Sequence, residues 1–218
     1  MAIKNDHSLQ TALIKAYKNY TLKKGKTPKT IEKLTAFAGK DFSDFKSAFK
    51  TMEELELALV LRYFKKINAT LSADENVKKL SRKELHLAML YMLVEKVEKD
   101  QIFLEVFIHQ KRKDPGFIAK LNMLLSRQEY LIFKTSGKLT EMLENVKVNP
   151  KKTAIINHAM SVILFYLNDV SEECQDTDAF IEKTTDLLFK LSDTSTLSSI
   201  FDLGKFLYQR KKTGFNWE

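Results

Sequence analysis

Apolar residues along this chain return at three- and four-residue steps, the spacing of one helical face, and seldom alternate as strand residues do. Leu9, Leu13, Ala16, Tyr17 and Tyr20 share one face of a first helix expected from about Ser8 to Leu22, with Lys15, Lys18, Lys23 and Lys24 largely off it. Thr27-Pro28 offers a capping residue followed by the residue best tolerated at a first helical position, so a short second helix should follow, with Ile31, Leu34 and Ala38 inward. Gly39 should end it. Asp41 is placed to cap a third helix, in which Phe42, Phe45 and Phe49 fall at i, i+3 and i+7 and read as a core stripe. Thr51-Met52-Glu53-Glu54 has the form of a capping box opening a fourth helix with Leu55, Leu59 and Phe64 inward, and a linker is expected at about Ala69 to Asn76.

Longer helices are expected beyond that linker. The pattern places them at 80–98 and 100–112, then, after the Asp114-Pro115-Gly116 break, at 117–147, and finally at 151–171, 176–192 and about 195–210. The stretch 154–167 is apolar around most of its circumference, which implies burial on two sides. Six glycines and three prolines in 218 residues are too few for the turns of a sheet, so the class is all-α. The expected architecture is an N-terminal tri-helical head, residues 1–68 with the fourth helix as connector, and a larger C-terminal helical bundle, residues 69–218.

Charge divides the chain at about the same place. Of the formal net charge of +8, residues 1–50 hold +7, from eleven lysines against four acids, and the remaining residues hold +1. Such a head suits a polyanion, either nucleic acid or an anionic membrane surface. Cys174 is the only cysteine, the start MAIKNDHSLQ has no apolar signal core, and HAMSVILFYL is too short to span a bilayer, so the expected location is the cytoplasm. His7, His86, His109 and His158 have no metal-ligand spacing, and no phosphate loop, nucleophile motif or catalytic carboxylate pair is present, so neither a cofactor nor an enzymatic activity is expected. Lys111-Arg112-Lys113-Asp114 reads as a solvated helix end.

The first 65 or so residues resemble the N-terminal signature of TetR-type transcriptional repressors. The resemblance is carried by Ala38-Gly39, by Phe45 and Phe49 six and ten residues after that glycine, by Lys50-Thr51-Met52-Glu53-Glu54-Leu55, and by Gly25 and Thr30 upstream. It implies a helix-turn-helix head that places Lys29, Thr30, Lys40, Ser43, Lys46, Ser47 and Lys50 on double-stranded DNA. It further implies a homodimer on a pseudo-palindromic operator and a C-terminal cavity whose small apolar ligand rearranges the heads through helix 4. Met89, Met92, Phe103, Phe107, Met123 and Phe133 are adaptable or bulky enough to line such a cavity, and 151–171 with 176–192 should form the dimer contact. Lys46 and Ala48 stand where the family usually has Tyr and His, and Asp41 and Asp44 stand where small or hydroxyl residues often open the recognition helix. These acids leave a second reading open: a TetR-like fold that has lost operator recognition and acts as a lipid- or isoprenoid-binding accessory protein at a membrane surface.

Overall fold

The computed structural model describes residues 2–128 and 150–191, and among them are nine α-helices and no strand. They are α1 (Ala2–Lys24), α2 (Ile31–Ala38), α3 (Phe42–Ala48), α4 (Met52–Ala73), α5 (Arg82–Glu98), α6 (Gln101–Lys111), α7 (Pro115–Ser126), α8 (Pro150–Tyr166) and α9 (Gln175–Leu191). Leu13, Tyr17, Leu34, Phe45, Phe49 and Leu55 form the buried centre shared by α1 to α4. Leu90, Leu93, Phe103, Phe107, Phe117 and Ile156 continue that core into the later helices.

Several boundaries move from where the spacing puts them. α1 starts six residues early, at Ala2 rather than near Ser8. The cap of α2 is Thr30, whose hydroxyl accepts from the Lys33 amide at 3.4 Å, while the Thr27 hydroxyl donates to Gln110 Oε1 at 2.5 Å. Phe42 does not join Phe45 and Phe49 in the core: it is 47% exposed. The buried face of α3 is set by Phe45 and Ala48, and at 3.6 residues per turn Phe42 lies about 120° around the helix from Ala48, toward solvent; Phe49, extended just past the helix end (φ −145°, ψ 138°), is still buried. Residues 69–73 of the expected linker are helical, because α4 runs on to Ala73 before a short 3₁₀ turn at Glu75–Lys79.

At 1.5 Å per residue, the 22 residues of α4 span roughly 33 Å. It packs on α1 and reaches α5 and α7. α8 packs against α5, α7 and α9, as expected for a helix apolar over most of its surface. Asp169 fastens the α8–α9 connection: hydrogen bonds from Ser171 and then Thr177 hold its carboxyl down to about 2. α7 opens with Asp114 as cap and Pro115 as first residue, and Asp114 accepts from the Phe117 amide at 3.0 Å. The rest of the helix expected at 117–147 beyond residue 128, and all of that at 195–210, lie outside the described residues. No helix among the described residues is long and apolar enough to cross a membrane.

Candidate nucleic-acid interface and ligand cavity

α2 and α3 are joined by the turn Gly39–Asp41, and its geometry follows from two residues. Gly39 takes a left-handed conformation (φ 60°, ψ 39°) that a side chain would oppose, and its amide donates to Thr35 O. Asp41 then closes a reciprocal capping box: its Oδ1 accepts from the Asp44 amide at 2.8 Å and from the Ser43 hydroxyl at 2.7 Å, while Asp44 Oδ2 accepts from the Asp41 amide at 3.3 Å. The Asp44 amide first and the Ser43 hydroxyl second hold the Asp41 carboxyl below its usual range. Both acids are thus engaged with their own helix start.

Lys29, Thr30, Lys40, Ser43, Lys46, Ser47 and Lys50 are all exposed. Lys29 and Thr30 lie at the start of α2, Lys40 in the turn, Ser43, Lys46 and Ser47 at steps of three and one along one side of α3, and Lys50 past its end, where its carbonyl accepts from Lys46 Nζ. Not all their polar atoms are uncommitted. Ser47 Oγ donates to Asp44 O, and Lys46 Nζ donates to Lys50 O at 2.7 Å while lying 5.3 Å from the Phe42 ring centroid. Phe42 is the residue that spacing had assigned to the core, and the structure puts it beside Lys46 on the surface. The signal for it was the cap: a residue following directly on Asp41 opens the helix, one turn before the buried stripe is established.

A second site lies in the body. An apolar cavity of about 260 Å³ is enclosed by α4, α5, α6, α7 and α8, with Phe64, Leu93, Phe107, Leu121 and Ile163 among its walls. Of the six residues expected to line a cavity, Phe107 does so. Phe103 and Met89 are buried in the core outside its lining, Met92 is half-buried, Met123 is 36% exposed, and Phe133 lies outside the described residues. The polar groups on the wall are Lys111, Arg112, Asn122 and Asn157 together with Tyr63. Lys111 is therefore not a solvated helix end. Its Nζ pairs with the buried Glu56 of α4 at 2.6 Å and lies 5.1 Å from the Phe117 ring centroid.

Two polar chains run from this wall to α1. Glu56 Oε1 accepts from the Tyr17 hydroxyl at 2.7 Å, so Lys111, Glu56 and Tyr17 link α6, α4 and α1. Burial, and then the Glu56 charge, push the Tyr17 hydroxyl pKa far up, so it stays a donor. The Tyr63 hydroxyl donates to Asp100 Oδ2 at 2.6 Å, and Asp100 Oδ1 takes Lys18 of α1 at 2.5 Å. Lys18, expected to point away from the packed face, is half-buried in this link.

A basic surface on α2, the turn and α3 and an apolar cavity among α4 to α8 occur together in one all-helical fold. A family profile described as "Tetracyclin repressor-like, C-terminal domain" matches residues 86–207, more than half of the chain, and the chain belongs to the TetR family. The match falls in the body, beyond the residues that carry the head's resemblance. No curated protein and no solved structure matches the chain significantly.

Proposed function

We propose that this protein is a TetR-type transcriptional regulator, a repressor that binds operator DNA as a homodimer in the cytoplasm and is released by a small ligand held in the body. The reading divides the chain into a DNA-binding head, residues 1–68, and a ligand-binding and dimerisation body, residues 69–218. The observation that supports it most is the surface formed by α2, the turn and α3, where the basic and hydroxyl residues implied by the family resemblance are exposed together. The two aspartates that weighed against operator binding close the capping box of α3, which weakens the case for an accessory protein without operator recognition. Lysines there meet phosphates, and Phe42 is available to thymine methyl groups.

The test is affinity for the DNA upstream of the protein's own gene across a salt series. Lys46→Ala should weaken binding to all sequences alike and reduce the salt slope by about one, because one fewer phosphate contact releases one fewer counterion. A wild-type protein with no DNA affinity at low salt, yet with salt-sensitive binding to anionic vesicles, would overturn the proposal in favour of the membrane reading.

A further inference from the structure

The charged side chains on the cavity wall are both cations, Lys111 and Arg112, and no carboxylate lines it among the described residues. Arg112 forms no ion pair among those residues, and Lys111 is held on the wall by Glu56, which approaches from α4 behind it. A neutral hydrophobe would fill the apolar walls but gain nothing from either cation. An anion at this edge of the cavity would gain a charge-assisted hydrogen bond from the half-buried Lys111, with Arg112 exposed beside it.

Resting on the reading of the body as a ligand site, we propose that the ligand is an organic acid with an apolar tail, and that its anionic group competes with Glu56 for Lys111. The tail lies against Phe107, Leu121 and Ile163, and the head group reaches the Lys111 ammonium with Arg112 beside it. Competition matters because Glu56 is 4% exposed and has two partners among the described residues, Lys111 and Tyr17. As Lys111 turns to the ligand, a buried carboxylate is left with the Tyr17 hydroxyl alone, an unfavourable state that α4 and α1 relieve by shifting. A ligand can shift a two-state equilibrium only through a difference in its interaction with the two states, and the exchange at Lys111 supplies one.

Titration calorimetry on the full chain without DNA tests this with decanoate, 1-decanol and decylamine, which share a tail and differ in head group. Decanoate should bind at least about tenfold more tightly than 1-decanol, the size of one charge-assisted hydrogen bond, and decylamine most weakly. Glu56→Gln keeps an acceptor for Tyr17 but frees Lys111, so it should tighten decanoate several-fold and leave 1-decanol as it was. Lys111→Met should abolish the preference for decanoate. The double variant Lys111→Met/Glu56→Gln, which leaves no buried charge unpaired, should do the same with a melting temperature close to wild type. Equal binding of 1-decanol and decanoate, or an unchanged decanoate affinity in Glu56→Gln, would overturn the acid and leave the ligand site standing. No binding of any of the three would overturn both, whereas absence of operator binding would count against the DNA reading alone.

Discussion

His86 is fully buried on α5, with Nε2 2.8 Å from Nδ1 of His158 on α8, and the His158 Nε2 lies 2.7 Å from the Thr184 hydroxyl of α9. Thr184 donates to Phe180 O, so it accepts from His158 Nε2–H, His158 Nδ1 accepts from His86 Nε2–H, and His86 Nδ1 is left a bare acceptor without a partner among the described residues. Both rings are neutral in this arrangement. Burial first, and the facing His158 second, push the His86 pKa down to about 3, whereas an unfolded imidazole protonates near its ordinary 6.5. Between those values the unfolded chain binds the additional proton, so stability is full above about pH 6.5 and falls as pH drops toward 3, by up to about 1.4 kcal/mol per unit. Burial also pushes the His158 pKa down, so denaturant unfolding at pH 7, 6 and 5 should show a slope to which both rings contribute, and His86→Leu should reduce it; an unchanged slope would mean that His86 does not contribute. The sequence showed only that these histidines lack metal-ligand spacing; their pairing across 72 residues was not legible in it.

At the scale of the element, α3 is decided by its ends more than by its face. Seven residues are too few for a stable isolated helix, and the Asp41–Asp44 box and packing of Phe45 hold it. Asp41→Ala should cost about 1 kcal/mol, the usual value of a lost N-cap, measured by denaturant unfolding. Asp44→Ser should cost less and leave DNA affinity unchanged, since its carboxylate is bonded to the Asp41 amide; a clear gain in DNA affinity would show that it faces the groove. The cap at Asp41 could be read directly from the chain, because a cap is a local event. The cap of α2 was misread: spacing put it at Thr27, whereas Thr30 caps the helix and the Thr27 hydroxyl bonds Gln110, 83 residues away.

For the whole molecule, the exposed apolar residues of the last described helices matter most. Leu164 on α8 and Leu187 on α9 are 38% and 55% exposed, the kind of surface that a second copy covers. Sedimentation equilibrium should give a dimer at micromolar concentration, and Leu187→Glu should shift it toward monomer; a monomeric wild type would contradict the dimer contact expected at 151–171 and 176–192. Head and body are fastened as well as connected, since α1 packs on α6, and Lys18, Asp100 and Tyr63 bind across that contact.

The all-α class, the order of the helices and the basic head were set by the sequence, since each depends on near neighbours: apolar spacing, capping residues, scarce glycine and proline, and charge clustered in the first 50 residues. The fate of individual polar side chains was decided by tertiary structure. Lys111 stands in a run of charges that looks solvated and becomes half-buried only because Glu56, 55 positions earlier, is brought against it. Phe42 looks like core and is surface because the neighbours of α3 cover the face of Phe45 and Ala48 and leave its first turn open. Which residues line the cavity was likewise a matter of how five helices meet, and helical spacing identifies the face a residue occupies, not the neighbour that face will find.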